Sequence, residues 1–327
     1  MRRLFALALF FSVALHAVAA PATLPLPADW YPESVAVGRN GSFYVGSWRQ
    51  GAVARLRPGA TQADVLVTPG ANGLANTQGV LVDARRGALW VCSGNIGFTT
   101  VPSTPSALKR YELATGAPRA SYPMPDAGYC NDLVEDAHGN VFVTDSLHPR
   151  LLKLAAGAAA LEVWKEDPLL AAPAPYGAFV GLNGIAFDGG QRLVVSVIAA
   201  LPYLLSINVG ADGSAGAVTR IEAPRELKNV DAIRAWKPGR LVLFESNAFG
   251  KGLYGGQVTV ARIEGDRLVL RTVVAGLNDP SSGAVVGDRV YFIESKYSLL
   301  TSHKDDDAAV PRGVPFDLQS APLVEPD

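Results

Sequence analysis

Six oxygen-bearing polar residues recur along the chain, each just ahead of a short apolar run: Glu33, Gln78, Asn131, Asn183, Asp231 and Ser281. They are separated by 45, 53, 52, 48 and 50 residues, and none is His or Cys. If the fold gathers them, two carboxylates and three amides meet in one place. Like charges brought together in a partly dry site repel strongly, and a bound cation removes that repulsion. Carboxylate and amide oxygens suit a hard ion, calcium above all, because its ligand number and geometry are permissive. The candidate is a calcium site on Glu33, Asn183 and Asp231, with Asn131 close by and Gln78 a further donor. The competing reading is a structural plug, in which these side chains hydrogen-bond one another and channel water. Turn chemistry does not account for the set, because Glu and Gln are not turn formers.

The elements that must position these residues are strands. Each polar residue opens the same pattern: an apolar strand, a turn bearing Gly, Asn or Asp, and a second apolar strand. "ESVAVGRNGSFYVGSW" from Glu33 and "NDLVEDAHGNVFVTDS" from Asn131 are two of the six copies. A third strand often follows, as in "GAVARLRPG", and a weaker fourth, as in "ALEVWKE". Four short antiparallel strands in each repeat of roughly 40–50 residues mark a β-propeller blade. The expected fold is therefore all-β: a six-bladed propeller of four-stranded blades around a central channel, forming one domain over residues 20–327. A β-sandwich does not explain six copies at one spacing. The C-terminal "VPFDLQSAPLV", and the N-terminal "ATLPLP" in the same way, are expected to add outer strands that close the ring. Inner strands line a propeller's channel, so the six residues should form a ring at one mouth. Asp132, next to Asn131, is expected to point away from the channel, into the blade interface or toward Asn131.

Residues 1–19 read as a secretory signal: two arginines, an apolar run from Leu4 to Leu15, and Ala17-Val18-Ala19 at the cleavage pattern. The run is shorter than the roughly 20 residues a membrane span needs. The mature protein is expected to be exported, periplasmic or secreted. With 29 basic and 30 acidic residues, the chain has no field to attract nucleic acid or an anionic membrane. The expected partner is a small molecule. The polar stretch 302–313 carries three consecutive aspartates without the ligand spacing or glycine of an EF-hand, and reads as a solvated loop. Cys92 and Cys130 are the only cysteines. They fall at the same end of neighbouring blades, so an exported protein admits a disulfide between them, or two separately buried thiols.

"PESVAV", "CNDLVEDAHGNVFVTD", "GLNGIAFDGG" and "NVDAIRAW" follow one another in chain order at blade spacing. In these motifs the chain resembles the gluconolactonase / senescence-marker-protein family of six-bladed propellers, with paraoxonase and strictosidine synthase as more distant relatives. The resemblance implies hydrolysis of a lactone or related ester with a divalent ion, usually calcium. It implies Glu33, Asn183 and Asp231 as metal ligands, with Asn131 touching substrate or completing the coordination. Two positions depart from the family pattern. Tyr129 stands where sugar-lactone members often carry an arginine, and Ala232 stands where a glycine commonly follows the aspartate. A sugar lactone is therefore disfavoured, and Tyr129, Phe98 and Tyr176 suggest a less polar pocket.

In such a hydrolase Asp231 is the leading candidate for the base, with His148, in "TDSLHP", as the alternative and Asp145 as a supporting acid. His16 lies in the signal, His138 in a hairpin turn at the opposite end, and His303 in the polar loop. No G-x-S-x-G elbow is present. Two functional classes stay open: a calcium-dependent hydrolase, and a non-catalytic propeller that binds a small ligand or a partner protein. A condensation of the strictosidine-synthase kind is a third outcome.

Overall fold

The computed structural model describes residues 23–174, 181–248 and 254–326. The expected signal peptide and Tyr176 lie outside the described residues. The chain opens with a short strand, β1 (Thr23–Pro25), and then lays down five complete antiparallel sheets. The first is β2 (Pro32–Val37), β3 (Phe43–Ser47), β4 (Ala52–Leu56) and β5 (Asp64–Val67). The second is β6 (Asn76–Asp83), β7 (Ala88–Gly94), β8 (Ala107–Glu112) and β9 (Pro118–Pro123). The third is β10 (Cys130–Glu135), β11 (Val141–Asp145), β12 (Arg150–Leu154) and β13 (Glu162–Glu166). The fourth is β14 (Leu182–Phe187), β15 (Arg192–Val197), β16 (Tyr203–Val209) and β17 (Ala215–Ile221). The fifth is β18 (Val230–Lys237), β19 (Arg240–Glu245), β20 (Gly256–Glu264) and β21 (Arg267–Leu277).

The sixth sheet closes the ring. Strands β22 (Gly283–Val286), β23 (Arg289–Phe292) and β24 (Asp317–Pro322) are completed on the outside by β1, which pairs antiparallel with β24 through Leu24 opposite Leu318. Both chain ends thus share one blade, as the terminal sequences suggest. The protein is an all-β six-bladed propeller of four-stranded antiparallel sheets.

The hairpins form where local chemistry favours a turn. Between β10 and β11, Asp136 Oδ1 accepts from the backbone N–H of His138 and of Asn140. Gly139 supplies the left-handed residue there at φ 91°. The strands persist because β-branched and aromatic residues fill the space between blades. Val35, Val45, Ala284 and Ile293 pack between blades one and six, and Tyr44, Val53, Leu89 and Tyr111 between one and two. Leu133, Val143 and Leu108 do the same for two and three, and Phe142, Ile185 and Val195 for three and four. Ile233, Leu243 and Leu204, then Phe244, Val258 and Phe292, complete the circle. Each such Val, Leu, Ile or Phe side chain contributes about 1.5–3 kcal/mol of burial. Every blade therefore depends on both neighbours.

Cys92, in β7, and Cys130, the first residue of β10, form a disulfide with their Cα atoms 5.1 Å apart. It joins blade two to blade three beside the channel.

Candidate functional site

The inner strands β2, β6, β10, β14, β18 and β22 pack side by side around the channel. In five of them the ladder with the second strand slips in register at the polar position: between Pro32 and Ser34, Thr77 and Val80, Cys130 and Leu133, Leu182 and Ile185, and Val230 and Ala232. A bulge breaks strict alternation, so two consecutive residues can face the same way. The result is two layers. The upper layer holds the six polar residues named above. The layer below holds Ser34, Gly79, Asp132, Ala232 and Ser282, which line the same small cavity of about 10 Å³ as Glu33, Asn131, Asp231 and Ser281. That volume matches a single water-sized body.

Asp132 does not turn away as the sequence pattern leads one to expect. The bulge aims it into the channel, where its Oδ2 accepts from Arg234 at 2.9 Å and from the backbone N–H of Ile185 at 3.3 Å. Gly79 is required opposite it, because a Cβ there would stand 2.8 Å from Asp132 Oδ1 and from the Asn131 carbonyl.

The upper layer is held by several hydrogen-bonded groups. Asn183 Nδ2 donates to Asp231 Oδ1 at 2.8 Å, and the Tyr297 hydroxyl donates to Asp231 Oδ2 at 3.2 Å. With the Gln78 amide oriented to satisfy its neighbours, its nitrogen donates to Glu33 Oε1 at 3.1 Å. Its oxygen then accepts from the Tyr129 hydroxyl at 2.8 Å and the Trp48 indole at 2.7 Å. Asn131 Nδ2 donates to Ser146 Oγ at 2.9 Å, and the Ser281 hydroxyl donates to the Glu33 carbonyl at 2.8 Å.

These residues are held from the preceding blade by serines outside the polar ring. Ser146 donates to the Leu182 carbonyl at 2.6 Å, Ser196 to the Val230 carbonyl at 2.7 Å, and Ser295 to the Pro32 carbonyl at 2.6 Å. Leu182, Val230 and Pro32 each stand directly before a candidate ligand: Asn183, Asp231 and Glu33. The signal is nevertheless present in the sequence: a serine lies within three residues of the end of the second strand of every blade, at Ser47, Ser93, Ser146, Ser196, Ser246 and Ser295.

The electrostatics are those of a site short of positive charge. Glu33 is 7% exposed, and burial, then Asp231 and Asp132, pushes its carboxyl well above the usual range while Arg234 opposes the shift. Asp231 is 8% exposed, and burial pushes it up to about 6 despite hydrogen bonds from Asn183, Ser246 and Tyr297. Asp279, on the approach to blade six, reaches about 7 through burial and then Asp231. Asn183 Oδ1 and Asp132 Oδ1 are buried with no hydrogen-bond partner. Unpartnered oxygens beside carboxyls that resist ionisation are what an oxygen-seeking cation would relieve. The donor set fits calcium in type. Among the described residues no group of three or more His, Cys, Asp or Glu stands in metal-holding geometry, so a cation here would draw on amide oxygens as well as on Glu33 and Asp231.

The other candidates fall elsewhere. Tyr129 is 1% exposed and sits behind Gln78, packed on Gly94, rather than forming an open wall for substrate. His148 Nδ1 lies 3.0 Å from Asp145 Oδ2, and none of its hydrogen bonds goes to a ring residue. Asp145 itself is fully buried and already accepts from the Tyr129 and Leu147 backbone N–H groups and from Arg150 Nε. It therefore ties down a loop and has no free oxygen to offer the ring. The polar loop contributes Asp307, which pairs with Arg49 at 2.8 Å. Phe98 does reach the mouth: it stacks on Trp48 at 5.5 Å, and Trp48 meets Tyr297 edge-on at 5.2 Å. Trp48 and Tyr297 thus link an aromatic wall to Gln78 and Asp231. Neither is marked by the repeat, because both lie in loops beyond the strand ends.

No family model and no curated protein matches this chain. Solved structures do match. A gluconolactonase from Xanthomonas campestris superposes with a TM-score of 0.59 at 16% identity, over 94% of this chain and 100% of that one. The calcium-binding protein regucalcin from Agrobacterium tumefaciens gives 0.59 at 14%, over 93% and 95%. Virginiamycin B lyase from Staphylococcus aureus gives 0.55 at 12%, over 90% and 80%. The chain is thus similar in fold to proteins of several activities, all at low identity.

Proposed function

We propose that this protein is an exported, calcium-dependent hydrolase of a lactone or related ester, with its site at the polar mouth of the channel. The observation that carries the reading is the pair Glu33 and Asp231, buried on one rim with the unpartnered Asn183 Oδ1 between blades four and five. Likeness of fold to a gluconolactonase and to a calcium-binding regucalcin supports it. Glu33, Asn183 and Asp231 would hold the ion, with Asn131 beside them, and the ion would supply positive charge to a carbonyl oxygen as water adds.

The chain's own residues do the rest. Asn183 and Tyr297 fix the Asp231 carboxylate from two sides, leaving it oriented to take a proton from water. Gln78 orients Glu33. Trp48, Phe98 and Tyr297 exclude water on one flank. Ile96, Leu147, Leu169, Leu201 and Tyr254 are exposed on loops at strand ends of this same face. That collar favours an ester with an apolar body over a sugar lactone.

One observation favours the second reading, a propeller that holds a ligand without turning it over: among the described residues no histidine hydrogen-bonds to the ring. A panel of alkyl lactones and aryl esters, assayed with calcium and with EDTA, separates the two. Turnover that EDTA and Asp231→Asn both abolish supports the hydrolase. A silent panel with stoichiometric calcium supports the binding protein.

A further inference from the structure

Arg234 is the one cation among the residues lining the channel cavity. It comes from β18, three residues beyond Asp231. At the corresponding place the other inner strands carry Ala36, Leu81, Val134, Ala186 and Ala284. An arginine there breaks an otherwise apolar position. Its side chain is 19% exposed, and it crosses the channel. One amine, Nη1, donates to Asp132 Oδ2 of blade three at 2.9 Å, and the other, Nη2, to Ser282 Oγ of blade six at 3.1 Å. The bridge lies directly below the ring that holds Glu33 and Asp231.

A charge count gives the bridge its meaning. The cavity is lined by three carboxylates, Glu33, Asp132 and Asp231, and by one guanidinium. With all of them ionised the sum is −2. Asp279 lies outside that lining, on the approach to blade six, and takes a backbone hydrogen bond from Tyr297. Arg234 lines the same small cavity as Glu33 and Asp231, so its charge acts on both carboxylates at short range. Yet it leaves Asp132 Oδ1 buried and unpartnered, and Asn183 Oδ1 likewise. The fixed cation therefore compensates the cavity only in part. The remainder equals one divalent ion.

Resting on the reading of the ring as a cation site, we propose that Arg234 is a specificity-determining counter-ion: paired with Asp132, it sets the charge of the cavity to match a single divalent cation and closes the floor on which that cation rests. It is a positioning residue and not a ligand, because guanidinium repels a metal. Remove its charge and the cavity becomes −3, which favours a trivalent ion. Remove Asp132 and the cavity becomes −1, which disfavours both ions and the trivalent one more.

The test uses the full mature chain and measures binding of Ca²⁺ and Tb³⁺ by calorimetry and Tb³⁺ luminescence. Arg234→Met should raise the preference for Tb³⁺ over Ca²⁺ by about ten-fold or more, since one unit charge acts across a short, partly dry distance. Arg234→Lys should keep the wild-type preference. Asp132→Asn with Arg234→Met together restores −2 and should return the preference toward wild type; if Arg234→Met alone fails to fold, Asp132→Asn serves instead, and at −1 it should lower the preference for Tb³⁺, an unchanged preference there overturning the inference. An unchanged preference in folded Arg234→Met, or a double variant no nearer wild type than Arg234→Met, overturns the inference and leaves the cation site standing. Wild type that binds neither ion overturns both.

Discussion

Replacing Asp231 by Asn should stabilise the metal-free protein at neutral pH, although it removes a candidate ligand. Burial raises the Asp231 carboxyl from an ordinary 3.8 to about 6, with the donors Asn183, Ser246 and Tyr297 already pulling it down. The fold therefore binds the proton more tightly than the unfolded chain does. The sign follows: this carboxyl contributes no penalty below the unfolded value, and stability is lost as pH rises through about 6. At pH 7.5 the loss is on the order of 3 kcal/mol, since each tenfold gain in proton affinity on folding is worth about 1.4 kcal/mol. An amide is never charged and escapes that loss. It still receives the Asn183 donor at one atom, and the Tyr297 hydroxyl can reverse to accept from its nitrogen. In EDTA at pH 7.5, Asp231→Asn should melt about 5 °C higher than wild type. The two curves should converge below about pH 3.8, the ordinary value of the carboxyl. Excess calcium should then reverse the order by stabilising wild type alone. The assay is a thermal melt across pH, with and without metal. A metal-free Asp231→Asn that melts lower than wild type at pH 7.5 refutes the reasoning, because it would mean that the lost charged hydrogen bonds outweigh the relieved burial.

Calcium affinity should fall steeply between pH 7.5 and 5.5, because Glu33, held well above the usual range, and Asp231, near 6, must both release protons to a cation. Calorimetry in buffers of different ionisation enthalpy would show that release, and a pH-independent affinity would contradict it. Ser196→Ala removes the donor to the Val230 carbonyl and should lower stability by about 1 kcal/mol. It should also weaken calcium binding, because Asp231 follows Val230 directly; a change in melting with unchanged affinity would confine Ser196 to packing. Removing the Cys92–Cys130 disulfide, which spans a sequence separation of 38, should destabilise by about 4 kcal/mol on loop entropy. Calcium affinity should be left close to wild type, as measured on Cys92→Ala/Cys130→Ala.

The sequence carries the fold and the ring for one physical reason, and fails on the layer below for another. A blade is a local unit. Its turn residues, its strand alternation and its opening polar residue all recur within one repeat, so Glu33, Asn183 and Asp231 can be aligned without any knowledge of three dimensions. The serines repeat as faithfully, yet their use is between blades: Ser196 serves Val230, and Ser295 serves Pro32 across the closure of the ring. Periodicity marks them, but only packing shows which carbonyl each one holds. Asp132 is the sharper case. Strict alternation turns the neighbour of an inward residue outward, so a strand with Asn131 in the channel should send Asp132 away. The register slip between Cys130 and Leu133 removes that alternation and puts both residues on one side. A bulge has no composition of its own here; only Gly79 and Gly184, which follow Gln78 and Asn183, hint that backbones crowd at that level. Once the bulge is granted, the arginine three residues after Asp231 is the partner that a channel-facing aspartate needs. The placement of the polar residues at the rim is therefore legible from residue type and spacing, whereas the charge balance beneath them depends on a break in the strand ladder that residue type does not encode.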